Sequence, residues 1–283
     1  MAQNPLKRVH DDAGKDTRRL GELFDLLGNL QNPNTPLLDA YKNANLALKQ
    51  SLQDGGGIST ARGITGSLRQ SLEITVKPIL EQARANGAES ARRQLGYYGL
   101  QAKELTPNPS RTGTVYEVVD AKAKEQETAV MALLLGEADE SLVLGDDSRQ
   151  GVLRPYDVIT TAAFWIAWMF WDGFSNQAAK SRKGDFNKQV VAALDHRTTD
   201  CCLRAHGQIV SFQDKFKLTG TPRFADELDW TPFHHLCRSS IVLYLPGYDD
   251  GLTDRMKESA SKVLDERARG INKYRHPSNA FVK

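Results

Sequence analysis

Cysteine is scarce: Cys201, Cys202 and Cys237 are the only three in 283 residues, and they share one 37-residue stretch. An odd count with two adjacent members makes a poor disulfide framework, so a fold stapled by bridges is excluded. An excess of one charge is also lacking. Lys+Arg number 37 and Asp+Glu 35, a formal net charge of +2. That balance excludes a polybasic polymer binder, whose affinity comes from many phosphate contacts. No apolar run suits a bilayer. The most apolar segment, Val158–Trp171, has 14 residues between Asp157 and Asp172, against ~20 for a spanning helix. It reads as a buried helix, and no membrane partner is expected. The opening MAQNPLKRVHDDAGKD has no apolar stretch behind its basic residues, so no secretory signal is expected there.

What is present is ordinary for a folded chain: 40% apolar and 25% charged residues, enough to bury a core without staples. Residues 1–17 are polar, show no obvious period and read as a mobile arm. Leu20, Leu23, Phe24, Leu27 and Leu30 repeat at helical spacing. Asn32–Pro36 breaks that pattern, and a second helix is expected from Leu37 to Gln53, closed by Gly55-Gly56-Gly57. Residues 60–100 are helical in pattern, with Pro78 expected to end or kink one helix. Thr106–Ser110 reads as a loop, Val115–Leu135 as a helix, and the stretch from Gly145 to Ser148 as another loop. Pro155 opens the tryptophan-rich helix, which is expected to end near Gly173.

Beyond Asp185 the segments shorten. Gln189–Leu194, Gln208–Phe212 and Ile241–Leu245 read as strands, the last by its β-branched and aromatic content. Thr253–Arg269 returns to helical spacing, before an extended tail, HPSNAFVK. The expected class is α+β: a mainly helical N-terminal two-thirds, a small β-containing C-terminal module with a Cys/His cluster, and a helical tail. The regions are 1–110, a helical part with a mobile arm; 111–182, around the Trp-rich buried helix; 183–248, the strand-containing module; and 249–283, the closing helix and tail.

Chemistry concentrates in LDHRTTDCCLRAHG (Leu194–Gly207) and TPFHHLCRSS (Thr231–Ser240). Thiolate and imidazole are the usual zinc donors, and ligands two to four residues apart can share an ion at a turn. Cys202 with His206, and His234 with Cys237, have that spacing. The competing reading is buried thiols packed as small hydrophobes. Asp195, Arg197 and Arg238 flank the two halves. If the halves are adjacent strands, an Arg fork on the Asp195 carboxylate would clip them together; otherwise the three are solvated charges.

Catalytic strings are missing. There is no P-loop, no His-Glu-x-x-His and no deaminase His-x-Glu with Pro-Cys-x-x-Cys. Cys201-Cys202 with His196 or His206 would be a Cys–His pair lacking a third partner. Asp195, His196 and His234-His235 contain the residue types of a metal-dependent nuclease or toxin-like hydrolase, which is the alternative reading. Trp165, Trp168 and Trp171 form either a core stripe or a partner face. Trp230 is expected to pack over the small module. Arg92-Arg93 and Lys180-Ser181-Arg182-Lys183 are either solvated charge or contacts to DNA phosphates.

The order Asp195-x-Arg197-Thr198, Cys202, Gly207, Pro232-x-His234-x-x-Cys237-Arg238 resembles the Mu F-like phage head morphogenesis family of minor capsid or minor head proteins. The resemblance spans roughly residues 150–246, including the upstream aromatic helix. It implies a non-enzymatic structural and assembly component of the virion, present in the host cytoplasm during assembly. Such a component acts near the portal vertex or capsid interior in head assembly and DNA packaging or delivery. Its implied partners are portal, capsid or scaffold proteins, with non-specific contact to packaged DNA. It also implies a zinc set of Cys202, His234 and Cys237. Many members carry a further cysteine where this chain has Thr199, which leaves the fourth ligand open between His206, Cys201 and His235.

Overall fold

A computed structural model describes residues 4–27, 35–102, 112–135, 137, 153, 155–181, 186–195 and 197–270. The fold is mainly helical with small antiparallel sheets in its C-terminal part, an α+β class. The helices are α1 (Pro5–Leu27), α2 (Pro36–Gln53), α3 (Ile58–Tyr97), α4 (Thr112–Leu134), α5 (Pro155–Ser181), α6 (Asp200–Ala205) and α7 (Leu252–Ala268). The strands are β1 (Asn187–Val191), β2 (Ile209–Ser211), β3 (Phe216–Lys217), β4 (Glu227–Leu228) and β5 (Ser240–Tyr244). No helix among the described residues is long and apolar enough to cross a membrane. The expected loops at 106–110 and 145–148, the region boundaries at 110/111 and 182/183, Arg182-Lys183, His196 and the tail from 276 lie outside the described residues.

Two compact units are formed, each discontinuous in sequence. One comprises 22–82 and 106–166, the other 1–21, 83–105 and 167–283. In the first, Leu37, Tyr41 and Leu48 of α2, Leu68, Leu72 and Leu80 of α3, and Val130 and Leu133 of α4 are buried. Thr35 caps α2 at the Leu38 amide, with Pro36 in the first turn, where its missing donor costs nothing. Gln126 of α4 donates to the Tyr41 hydroxyl.

The second unit holds the β structure. Residues 5–17 are helical, not the mobile arm expected. Leu6, Val9, Ala13 and Leu20 are buried at helical spacing, but Asp12 and Asp16 interrupt the stripe and hide it from a hydropathy reading. Both carboxylates are buried against α3. Arg93 reaches Asp12 with Nε (3.2 Å) and Asp16 with Nη2 (3.0 Å), Tyr97 donates to Asp12 (2.6 Å), and Ser90 donates to Asp16 (2.5 Å). Arg93 is therefore engaged within the fold, while Arg92 is exposed.

On the long helices the expected end near Gly173 is corrected, and of the two outcomes expected at Pro78, an end or a kink, the end is excluded. α3 runs through Pro78 without ending there; a proline forfeits one backbone hydrogen bond, and the buried Val76, Ile79 and Leu80 around it hold the turn in place. α5 continues past Gly173 to Ser181. Gly173 is a packing residue: a Cβ there would collide with the Arg84 carbonyl of α3, and a Cβ on Gly87 would collide with the Phe170 carbonyl of α5. Trp171 is core, whereas Trp165 and Trp168 are half-buried.

The main sheet has the order β2-β1-β5, all antiparallel. Every residue of β5 is buried, as its continuous apolar run suggests. β5 is also an edge strand, and side chains cover that edge. The Leu243 amide donates to Gln94 Oε1 (2.9 Å), and the Leu243 carbonyl accepts from the Tyr98 hydroxyl (2.9 Å). On β1, Lys188 is fully buried. Its ammonium donates to the Asp229 carbonyl (2.7 Å) and lies 4.5 Å from the Trp230 ring centre, which is how Trp230 packs on the module.

Candidate metal centre and polar clip

The register of the sheet builds the site. Val191 at the end of β1 lies opposite Ser240 at the start of β5. The segment leaving β1 and the segment entering β5 therefore exit the sheet at the same end. The first carries Asp195 and leads into α6; the second carries His234, Cys237 and Arg238. Between them the β3–β4 ladder pairs Phe216 with Leu228 and Lys217 with Glu227, which accommodates the long gap from Cys202 to His234.

Asp195 and Arg238 meet. Arg238 Nη1 donates to Oδ2 (2.6 Å) and Nη2 to Oδ1 (2.5 Å), a two-pronged pair. Oδ1 also accepts from the Arg197 amide (2.8 Å) and the Thr198 hydroxyl (3.2 Å). Arg197 joins through its backbone only, since its side chain is exposed. Burial pushes the Asp195 carboxyl up, but Arg238 and the two local donors outweigh it and hold it at about 2. Sequence reasoning missed Arg267 of α7. Its Nη2 donates to the Asp195 carbonyl (3.1 Å) and to the Thr198 carbonyl (2.5 Å), and its Nη1 reaches Asp200 (2.9 Å). No motif marks it; only the packing of α7 brings it there.

The thiols and one imidazole also converge. The ligand atoms of Cys201, Cys202 and His234 all lie within 4.8 Å of one another, and all three residues are buried. His234 Nε2 is 3.1 Å from Cys202 Sγ, and Cys237 Sγ is 3.7 Å from Cys202 Sγ. A carbonyl can only accept, so His234 Nδ1, 2.7 Å from the His235 carbonyl, must donate. That bond fixes the ring with Nε2 aimed at the sulfurs, the second-shell arrangement common for histidine ligands. Burial pushes the Cys237 thiol up, but hydrogen bonds from Cys202 and His234 bring it well below its usual value. Burial lowers His234, and Cys237 more than offsets that and raises it. The Cys201–Cys202–His234 cluster could hold a metal ion.

His206, one of the three candidates for the fourth ligand, is placed elsewhere. Its Nδ1 accepts from the Ala192 amide (2.8 Å), tying the end of α6 to the segment after β1. Burial pushes its pKa down to about 3, so it stays neutral as a structural acceptor. Cys201 stands in the cluster instead, although its S–H points at the Pro222 carbonyl (2.8 Å). Thr199 faces the same centre with Oγ1 2.8 Å from His234 Nε2. His235 packs edge-on to Phe224. Among the described residues, the metal-competent group thus consists of two adjacent thiols and one imidazole, with Cys237 touching it through Cys202. Comparison with known proteins returns no matching family model, no matching curated sequence and no matching solved structure.

Proposed function

We propose that this chain is a phage minor capsid or head morphogenesis protein. It acts as a structural and assembly component near the portal vertex or capsid interior, in head assembly and DNA packaging or delivery. One observation carries the reading. The residues behind the resemblance, 32 or more positions apart in the chain, meet in one module: Asp195 with Arg238, and Cys202 with His234 and Cys237. Gly207, another matched position, turns the chain from α6 into β2 at a φ of 77°, a conformation that favours glycine. Such a module has the character of a rigid joint, and the long helices supply faces for portal, capsid or scaffold partners.

The cofactor of this reading is zinc. Soft sulfur with imidazole in a closed, buried set suits a structural zinc site, with Cys202, His234 and Cys237 as ligands and Cys201 as the fourth. The hydrolase alternative has weaker support. Both oxygens of Asp195 are taken by Arg238 and local donors, which leaves no free carboxylate edge for a hydrated catalytic ion. The sulfur and imidazole donors are buried as well.

The test is purification of the tagged protein from cells expressing the head genes of its phage. Portal or capsid protein at a fixed ratio, together with stoichiometric zinc, is the expected result. Metal-dependent cleavage of plasmid DNA, abolished by His234→Ala, would overturn it.

A further inference from the structure

We propose that Cys202 and Cys237 are an oxidisable pair, closed to a disulfide by a hydroperoxide, so that the two segments of the module can be joined covalently when metal is absent. The inference deepens the reading above, because it concerns the same cluster. It rests on that reading only for where the oxidant is met: a particle leaves the reducing cytoplasm in which it was built.

The geometry selects the pair. Their Sγ atoms are in van der Waals contact at 3.7 Å, so bonding at about 2.0 Å requires a small approach. All three thiols are free. Cys237 shows the most residue surface of the three, 9% against 0% for each of the others. Its neighbour Leu236 is 65% exposed, which places the turn at the surface. Cys201 is a poorer partner for Cys202 despite a separation of 3.9 Å. Adjacent cysteines close an eight-membered ring that distorts the peptide between them, and the Cys201 S–H is directed at the Pro222 carbonyl.

The chemistry balances in two steps. The Cys237 thiol attacks the proximal oxygen of hydrogen peroxide; the O–O bond breaks, Cys237 becomes a sulfenic acid, and one water leaves. The Cys202 sulfur then attacks Cys237 Sγ, the S–OH bond breaks, and the hydroxyl departs as a second water with the Cys202 proton. Two thiols are oxidised and one peroxide is reduced. The product links positions 35 apart and constrains the unfolded chain across that loop.

The experiment uses the full chain, first analysed for bound zinc and then freed of metal with a chelator and treated with hydrogen peroxide. Thiols are counted in denaturant and the bonded peptides mapped. The expected result is loss of two thiols out of three, a mass lower by two hydrogens, and a Cys202–Cys237 peptide that dithiothreitol releases. Cys201→Ser should keep this crosslink and Cys237→Ser should lose it. Three surviving thiols, a Cys201–Cys202 bond, an intermolecular bond or irreversible oxidation of Cys237 would each overturn the proposal. The zinc measured beforehand separates the two readings. Bound zinc with no crosslink sinks only this inference; a crosslink in a protein that never held zinc sinks only the metal reading.

Discussion

Arg238 grips both oxygens of Asp195, a residue 43 positions earlier in the chain, at 2.5 and 2.6 Å. The carboxylate is 2% exposed, so removing the guanidinium strands a buried charge. Arg238→Ala should destabilise the protein by about 3 kcal/mol, measured by urea unfolding. A double-mutant cycle with Asp195→Ala should show strong coupling; additive effects would contradict the pairing.

The same carboxylate makes a pH prediction. Its folded pKa, about 2, lies below the ordinary 3.8, so the unfolded chain binds the proton more tightly. The contribution is complete above pH ~4 and is lost as pH falls towards 2, roughly 2 kcal/mol in all. Asp195→Asn should remove that part of the acid transition.

Asp16 works in the opposite sense. Burial pushes it from 3.8 to about 6, against the pull of Ser90 and Arg93. The folded state binds this proton more tightly, so stability should fall as pH rises from about 4 to about 6. Asp16→Asn, which keeps an oxygen for Ser90 and Arg93, should flatten the stability profile over that window.

The α3–α5 crossing predicts contrasting glycine substitutions. Gly87→Ala and Gly173→Ala each push a methyl into a backbone carbonyl that cannot rotate away, and each should cost about 3 kcal/mol. Gly96→Ala, at an open helical position, should instead stabilise by about 0.5–1 kcal/mol. Thermal or urea melts of the three variants check this.

Metal retention should discriminate the two histidines. His206→Ala should leave zinc binding intact while lowering stability, since its bond is to the Ala192 amide. His234→Ala should abolish binding. Thr199→Cys places a thiol beside His234 Nε2 and should tighten zinc by about tenfold or more, read by competition with a chromophoric chelator.

Much of the secondary structure was legible because local chemistry dictates it. α2 begins at Thr35-Pro36 and ends before three glycines. β5 declares itself in the IVLY run, and α7 in its spacing. The two segments bearing the cluster and the clip were also visible, because Cys, His, Asp and Arg at those spacings have few other uses. α1 was obscured because its buried stripe contains Asp12 and Asp16, whose partners on α3 lie more than 70 residues away.

Residue types and spacing alone singled out Asp195, Cys202, His234, Cys237 and Arg238 as candidates. Tertiary structure decided which of them touch. The antiparallel register of β1 and β5 delivers Arg238 to Asp195; α6 turns Cys201 and Cys202 inward and commits His206 to the Ala192 amide; α7 adds Arg267. The division has a physical cause. Helix and strand preferences arise within a few residues, while a ligand set is fixed by strand register and helix packing, which depend on residues far apart in the chain.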